Sequence, residues 1–264
     1  MIHTVRENIS CAIGTRFQLL NGTFRFSEIW DGDIELFLIG GPAYSGTTLL
    51  AFLLNQGKVI CLDEPDFHDP NQSHRGIPFL KELFPHRHFP ERTDEELSYR
   101  EAVNLIQICE QIIHPYSLGF KTCNKMFLDY ADIYKALGYP VIAIIRDIRD
   151  ALVNPLPMWL TEQGLNARFR LIWDHLNIFD YWLRYEDLIR NSQNAMEEIS
   201  QILSHDLRVK NSWDPDSVHR TMFKDRRHDL LKSGRLNSSR IGIWRTSGKN
   251  FSEETHETAK MMGY

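Results

Sequence analysis

Residues 34–50 constrain the fold of this chain more than any other segment. An apolar, strand-like run at 34–39 ends in a glycine-bracketed loop, which opens directly onto a helix-like segment with two adjacent hydroxyl residues, Thr47 and Thr48. A loop of this kind turns several backbone N–H groups toward one concavity, and the helix start adds a partial positive charge. The pattern therefore predicts a phosphate- or sulfate-binding loop between a buried strand and a helix.

This loop departs from a nucleotide triphosphatase loop at one position. Gly41 and Gly46 have the spacing of the Walker A motif, G-x-x-x-x-G-K-[ST], but Thr47 stands where that motif has lysine. Triphosphatases use that lysine on the β- and γ-phosphates, so its absence argues against hydrolysis of ATP or GTP. A donor with a single phosphate on its 5′ side does not need it. The alternative is a strand-to-helix turn in which small residues only shape the bend.

The length allows one α/β domain or two small ones, and the absence of a linker between domains favours a single domain spanning 1–264. The chain has 264 residues, of which 42% are hydrophobic and 25% charged, with no stretch that resembles a linker. A net charge of −5 gives no general attraction to nucleic acid. Nothing in the sequence predicts an oligomeric state.

Cysteine usage and hydropathy predict a cytoplasmic protein. The cysteines are widely spaced and form no C-x-x-C pair, as expected of reduced thiols; they are Cys11, Cys61, Cys109 and Cys123. The first residues lack the apolar core of a signal peptide, and no apolar run approaches the ~20 residues of a membrane span. We therefore expect neither export nor a membrane-spanning helix.

Basic residues concentrate near the end of the chain. Residues 220–249 hold nine Lys or Arg against two Asp, although the chain as a whole is acidic. This concentration predicts that a closing segment, 220–264, contacts an anionic ligand; the alternative is a solvated basic face.

Strand-like and helix-like segments alternate along the chain, which predicts an α/β three-layer sandwich with a central parallel sheet. Asn21 and Gly22 indicate an N-terminal hairpin within 1–33, and residues 155–177 suggest a short linker. The predicted strands are 34–39, 59–62, 118–121, 141–145 and 178–183, and the predicted helices are 47–55, 93–113, 126–137, 147–154 and 187–203.

Polar residues follow four of these strands. The loop hydroxyls follow the first strand, Asp63 and Glu64 the second, Lys121 the third and Arg146 the fourth. Ligands of parallel α/β sheets bind at the carboxyl ends of the strands. Two phosphate-binding elements with a carboxylate and a lysine between them predict a site for group transfer.

Four segments, in this order, resemble sulfotransferases that use 3′-phosphoadenosine 5′-phosphosulfate (PAPS). Residues 43–50, Ala-Tyr-Ser-Gly-Thr-Thr-Leu-Leu, resemble the 5′-phosphosulfate loop, and residues 145–154 resemble the 3′-phosphate segment. Residues 183–188 are similar to the strand that brings a tyrosine beside the adenine, and 238–245 to the loop that closes over the 3′-phosphate. The Cys61 to Glu64 spacing and the ending Met-Met-Gly-Tyr favour the tyrosylprotein and bacterial carbohydrate branches.

The resemblance implies a nucleotide-binding residue set. Arg146 would grip the 3′-phosphate, with Asn154 in place of the usual serine; an amide can donate the same hydrogen bond. The other residues implied in nucleotide binding are Tyr44, Ser45, Gly46, Thr47, Thr48, Tyr185, Ser239 and Arg240.

The resemblance also implies two catalytic residues. Glu64 lies where the tyrosylprotein-type enzymes place a glutamate that accepts the proton of the acceptor hydroxyl. Lys121 lies where that branch keeps a lysine facing the sulfate. Sulfuryl transfer from PAPS requires no metal, and the spacings of His68, His74, His86 and His88 match no zinc pattern.

Tyr44 is the main departure from the family. Sulfotransferases have Lys or Arg there, which neutralises charge on the bridging oxygen as the sulfuryl group leaves. A tyrosine hydroxyl can donate a hydrogen bond but carries no positive charge, and charge-assisted donors are about twice as strong as neutral ones. Lys121 or Lys125 compensates, or the enzyme is slow, or catalysis has been lost.

Three functions therefore remain open. The first is a PAPS-dependent sulfotransferase acting on a hydroxyl acceptor, whether sugar, phenol, peptide tyrosine or lipid headgroup. The second is a catalytically silent relative that binds the nucleotide and serves as an interaction module. The third is a small-molecule kinase, disfavoured by the missing lysine at position 47.

Overall fold

The computed structural model describes residues 36–63, 117–123, 127–137, 139–158, 160–213, 231 and 233–264. The strands are β1 (Leu36–Gly40), β2 (Val59–Asp63), β3 (Ser117–Thr122), β4 (Val141–Ile145) and β5 (Tyr181–Arg184). The helices are α1 (Thr47–Leu54), α2 (Phe127–Leu137), α3 (Ile148–Leu152), α4 (Glu162–Asp174), α5 (Tyr185–Arg190), α6 (Ser192–Leu203) and α7 (Glu253–Met261). Short 3₁₀ turns lie at Leu176–Ile178 and Ile243–Arg245.

Within these residues the strands form one parallel sheet in the order β2-β3-β1-β4-β5. From β1 the chain passes through α1 toward the β2 edge, and from β3 it passes through α2 toward the β5 edge. Crossovers between parallel strands are right-handed, so α1 and α2 lie on opposite faces of the sheet. The predicted α/β class, with helices flanking a central parallel sheet, is confirmed.

The strand order creates a crevice between β1 and β4. The connection that leaves β1 runs toward one edge of the sheet, whereas the connection that leaves β4 runs toward the other. Such a reversal opens a cleft at the carboxyl ends of the two strands, where α/β proteins bind their ligands. The glycine-bracketed loop after β1 and Arg146 after β4 both lie at this point.

The core is centred on the inner strands and α1. All five side chains of β4 are buried, which explains its uninterrupted apolar run, Val-Ile-Ala-Ile-Ile. Close approaches between layers require glycine: a Cβ on Gly40 would lie 2.1 Å from the ring of Phe127 on α2. The same ring of Phe127 stacks on Phe179, with 5.4 Å between centroids. The sheet therefore presents its loops from a rigid base.

Two predicted elements near β5 have different bounds. The strand predicted at 178–183 begins only at Tyr181, because residues 176–178 form a 3₁₀ turn and the Asp180 carboxylate accepts a hydrogen bond from the Val141 N–H at 2.8 Å. The helix predicted at 187–203 is two helices. Asn191, with φ −138° and ψ 51°, ends α5 and precedes α6.

The segment predicted as a short linker, 155–177, contains the 13-residue helix α4. The Thr161 hydroxyl caps its first turn by accepting from the Gly164 N–H at 3.0 Å. Gly164 and Asn166 have poor helix propensity, which hid the helix in the sequence. Contacts with α7, a helix that the sequence reading also missed, stabilise α4. The predicted N-terminal hairpin and the predicted helix 93–113 lie outside the described residues.

Candidate functional site at the carboxyl ends of β1 and β4

The loop after β1 is closely packed. A Cβ on Gly41 would lie 2.2 Å from the Ile144 carbonyl oxygen. Gly46 has φ +102°, and a Cβ there would lie 2.5 Å from the Tyr185 ring. Both glycines of the predicted spacing are therefore needed for the backbone to follow this path. Gly46 is the N-cap residue of α1 and, being glycine, has no side chain with which to cap the helix.

Ser45 has the features of a ligand-binding hydroxyl. Its side chain is completely buried, and its Oγ has no hydrogen-bond partner among the residues that the structure describes. A buried hydroxyl without a partner is costly, and such groups are uncommon in folded proteins. Thr47 is also buried, whereas Thr48 is partly exposed, both in the first turn of α1. The loop thus places a hydroxyl that has no partner among the described residues beside the N-terminus of a helix whose N-cap residue is glycine.

Arg146 joins the two halves of the crevice. Its side chain is 6% exposed, and its Nη1 donates to the Tyr44 carbonyl at 3.5 Å. Its Nη2 donates to the Arg240 carbonyl and lies 3.8 Å from the Asp150 carboxylate. Its Nε has no partner among the described residues. A buried cation therefore lies beside the loop with donor capacity to spare.

Tyr185 forms the floor under this cation. The Arg146 guanidinium lies 4.4 Å from the centroid of the Tyr185 ring, and the tyrosine is buried. Burial raises the pKa of the Tyr185 hydroxyl, against the opposing charges of Arg146 and Arg240. The structure therefore brings together the loop, the Arg146 guanidinium, Tyr185 and Arg240. Their role in nucleotide binding stays a prediction.

Asn154 and Ser239 make local hydrogen bonds. The Asn154 Nδ2 donates to the Ala151 carbonyl at 2.9 Å and to the Asp150 carbonyl at 3.4 Å, so its amide closes the end of α3. Ser239 is exposed, and both its Oγ and its backbone N–H donate to the Asn237 Oδ1, the N–H at 3.1 Å. Their roles toward a 3′-phosphate stay predictions.

Of the two predicted catalytic residues, the structure describes Lys121 but not Glu64. Lys121 lies on the inner strand β3, in register with Ile39 of β1 and Asp63 of β2, and is 2% exposed. A lysine buried this deeply in a sheet requires compensating interactions. Glu64 and Lys125 lie outside the described residues, and so do the histidines at 68–88.

Tyr44 adopts an uncommon backbone conformation. Its φ of 67° lies in the left-handed region, which few residues other than glycine adopt. Its hydroxyl donates to the Pro155 carbonyl at 3.0 Å, and its own carbonyl accepts from Arg146. The side chain therefore links the loop to the segment after α3. This interaction had no signal in the sequence.

Sequence reasoning also missed the carboxylates that hold the C-terminal residues. Asp150 accepts from two backbone N–H groups of the loop 238–245, and Glu162 accepts from Ser252 and Thr255 at the start of α7. Glu186 accepts from the Tyr264 hydroxyl at 2.8 Å and from the Asp147 N–H at 3.2 Å. The only sequence signal for Asp150 is its position four residues after Arg146.

The fold resembles those of solved sulfotransferases. The sulfotransferase domain of the Synechococcus PCC 7002 olefin synthase matches with a TM-score of 0.53 and 16% identity, over 88% of this chain and 95% of that one. Mouse sulfotransferase SULT7A1, crystallised with PAP, matches with a TM-score of 0.45 and 14% identity, over 89% of this chain and 86% of that one. A sulfotransferase from Alicyclobacillus acidocaldarius matches with a TM-score of 0.44 and 11% identity, over 88% of this chain and 91% of that one.

At this level of identity the likeness shows the fold alone: the chain has a sulfotransferase-like fold. No family model and no curated protein matches the sequence. Among the described residues, no helix is long and apolar enough to cross a membrane.

Proposed function

We propose that this chain is a sulfotransferase that moves the sulfuryl group of PAPS to a hydroxyl acceptor. The observation that carries the proposal is a pair of buried polar atoms, Ser45 Oγ in the loop after β1 and Arg146 Nε directly after β4, that lack partners among the described residues. A hydroxyl and a guanidinium are donors suited to phosphate and sulfate oxygens. The residues present therefore fit a nucleotide with two anionic ends.

The assignment of groups rests on the resemblance to PAPS-dependent sulfotransferases, and the closeness of the loop, Arg146 and Arg240 supports it. The loop 41–48 would hold the 5′-phosphate and the sulfuryl group with backbone N–H groups and Ser45. Arg146 and Arg240 would hold the 3′-phosphate. In the transfer, the acceptor oxygen forms a bond to sulfur, the bond from sulfur to the bridging phosphate oxygen breaks, and the acceptor proton passes to a base, for which Glu64 is the sequence-based choice.

Binding of matched nucleotides tests the proposal. Titration calorimetry should show that 3′-phosphoadenosine 5′-phosphate (PAP) binds at least about tenfold more tightly than adenosine 5′-phosphate, since a guanidinium–phosphate pair is strong. Arg146→Ala should erase this preference. The control is Arg208→Ala, which removes an arginine whose side chain is 83% exposed. Equal affinity for the two nucleotides, or tighter binding of ATP, contradicts the proposal.

A second test of the proposal measures sulfuryl transfer to acceptors. Radiolabelled PAPS should transfer sulfate to at least one member of a panel of sugars, phenols, tyrosine peptides and lipid headgroups. Glu64→Gln should leave PAP affinity nearly unchanged and lower turnover by about 10²–10⁴-fold, as loss of a general base does.

A catalytically silent nucleotide-binding relative is the second candidate. The observation that favours it is the Tyr44 hydroxyl, which donates to the Pro155 carbonyl where sulfotransferases have a cation. Tight PAP binding, together with absence of transfer to every acceptor even after Tyr44→Arg, would select this candidate.

A further inference from the structure

Asp150 joins elements that are far apart in the sequence. Its carboxylate is 1% exposed and accepts two backbone hydrogen bonds, from the Gly242 N–H at 2.6 Å and from the Trp244 N–H at 3.0 Å. These donors lie 92 and 94 residues further along the chain. One side chain on α3 therefore fixes two points of the loop 238–245.

The local conformation of that loop suits a carboxylate. Gly242 has φ +71°, and no atom of the described residues lies within 4 Å of the place where its Cβ would be, so these residues do not impose its left-handed backbone by packing on that side. The 3₁₀ turn Ile243–Arg245 follows directly. A left-handed residue before such a turn brings nearby N–H groups toward one anion. Here that anion is the Asp150 side chain.

The same carboxylate faces Arg146. Asp150 Oδ2 lies 3.8 Å from Arg146 Nη2, and both side chains are almost fully buried. Nη2 also donates to the Arg240 carbonyl, so Arg146 touches the loop two residues before Gly242. Asp150 therefore lies between the guanidinium and the loop and balances the charge of the first while holding the second. Removal of one partner of a buried ion pair leaves an uncompensated charge.

Its neighbour Asp147 has a different contact set. Asp147 pairs with Arg149 at 2.8 Å, and the Arg149 guanidinium lies 4.1 Å from the centroid of the Trp244 ring. Arg149 thus contacts the loop at the Trp244 side chain rather than at the loop backbone. Arg149 thus provides a matched control, because its removal changes a contact to Trp244 but leaves the hydrogen bonds of Asp150 in place.

We infer that Asp150 is a positioning residue that sets the register of the loop 238–245 against Arg146. In that register Arg240 and Arg146 meet the same 3′-phosphate, so Asp150 acts on selectivity for the 3′-phosphorylated nucleotide without contacting it. The inference rests on the proposed function for its consequence in binding. Its structural part, that Asp150 holds the loop, does not depend on any ligand.

The first test uses Asp150→Asn, with Arg149→Ala as control. The amide keeps one acceptor oxygen but turns its NH₂ toward a backbone N–H, so one of the two loop bonds is lost. We expect the ratio of Kd values for adenosine 5′-phosphate and PAP to fall at least about tenfold, the effect of losing one charge-assisted hydrogen bond. Arg149→Ala should change this ratio less than about threefold.

Steady-state kinetics and amide exchange separate positioning from general stability. In Asp150→Asn the KM for PAPS should rise while kcat at saturation stays within about threefold, because the reacting groups lie at the other end of the nucleotide. Hydrogen exchange without ligand should quicken at Gly242 and Trp244 in this variant and stay unchanged in Arg149→Ala. Where Asp150→Asn does not fold, amide exchange at Gly242 and Trp244 is compared between Arg146→Met/Asp150→Asn and Arg146→Met. Both variants lack the Arg146 guanidinium, which would otherwise be buried without the Asp150 charge, and this comparison decides whether Asp150 holds the loop.

The outcomes separate the two proposals. If wild type does not prefer PAP, the proposed function fails, and amide exchange alone then decides whether Asp150 holds the loop. If exchange quickens but the preference for PAP persists, the role in selectivity is overturned. Unchanged exchange at Gly242 and Trp244, or an equal loss of affinity for both nucleotides, overturns the inference as a whole.

Discussion

The crevice loop and the C-terminal residues 233–264 are held in place by different kinds of interaction. The loop after β1 is shaped by glycines and by backbone that runs directly from a buried strand into a helix, all within about fifteen consecutive residues. The C-terminal residues are held by carboxylates from distant elements: Asp150, Glu162 and Glu186. The first arrangement is local and visible in the sequence, whereas the second is long-range and is not.

The difference separates the two halves of the proposed site. The half that would bind the sulfuryl end is built from the rigid base of the sheet. The half that would bind the 3′-phosphate combines Arg146, fixed at the end of β4, with Arg240, which depends on the anchoring of the loop 238–245. We therefore expect substitutions in the first half to affect the fold, and substitutions in the second half to affect nucleotide selectivity.

The largest effect on stability should come from Gly46→Ala. The new Cβ would lie 2.5 Å from the Tyr185 ring, in a residue with φ +102°, so steric overlap adds to backbone strain. We expect the free energy of unfolding to fall by about 3 kcal/mol or more, measured by urea titration. Gly57→Ala is the control, because Gly57 has φ +59° and no described residue lies within 4 Å of its Cβ position. This variant isolates the cost of the conformation, about 1–2 kcal/mol. Equal losses would show that packing against Tyr185 is unimportant.

The next effect concerns the cation that Tyr44 cannot supply. If Lys121 stabilises the departing oxygen, Lys121→Met should lower turnover by about 10²–10³-fold, and Tyr44→Arg should add little. If no cation compensates, wild type should be slow and Tyr44→Arg should raise turnover about tenfold or more. Circular dichroism must show that Lys121→Met folds, since this lysine is 2% exposed.

Tyr44→Phe is the control for this series. It removes the hydrogen bond from the tyrosine hydroxyl to the Pro155 carbonyl without a change of charge. We expect a loss of about 1 kcal/mol or less in stability and little change in turnover. An unchanged rate in all three variants would contradict the argument from charge.

The sequence was sufficient for the parts whose causes are local. The buried run of β4, the glycine spacing of the loop and the position of Arg146 all follow from neighbouring residues, and the structure brings them to one crevice. Helices α4 and α7 could not be predicted in this way. Asn166 of α4 donates to Thr255 of α7 at 2.8 Å, and Arg170 to Thr258 at 2.7 Å, so each helix depends on a partner almost ninety residues away.

A smaller effect is expected at the anchor of α7. Glu162 Oε1 accepts from the Ser252 hydroxyl and the Thr255 hydroxyl, both at 2.7 Å. Burial raises the pKa of Glu162, but these hydrogen bonds and the charge of Lys249 outweigh it and lower the pKa overall. Because this carboxylate is partly exposed, Glu162→Gln should cost about 1 kcal/mol at pH 7.

The contribution of Glu162 to stability should depend on pH in a direction that its lowered pKa sets. A lowered pKa stabilises the fold above the ordinary value for glutamate, and this contribution is lost as pH falls through the lowered value. The difference in Tm between wild type and Glu162→Gln should therefore shrink as pH falls below about 4. The exposed Glu253→Gln, at the same helix start, is the control.

The smallest effect on stability should come from Glu186, whose pKa is shifted in the opposite direction to that of Glu162. Burial raises the pKa of Glu186, although its hydrogen bonds from backbone N–H groups and from Tyr264 oppose the rise. A raised pKa means that the folded protein binds the proton more tightly than the unfolded chain does, so ionisation at neutral pH weakens the fold. Lowering the pH from 7 toward the ordinary pKa of glutamate, about 4.3, should therefore raise the Tm of wild type relative to Glu186→Gln, by a few degrees at most. Calorimetry at matched ionic strength checks this. A relative decrease in the wild-type Tm over that range would show that the hydrogen bonds, rather than burial, determine the protonation of Glu186.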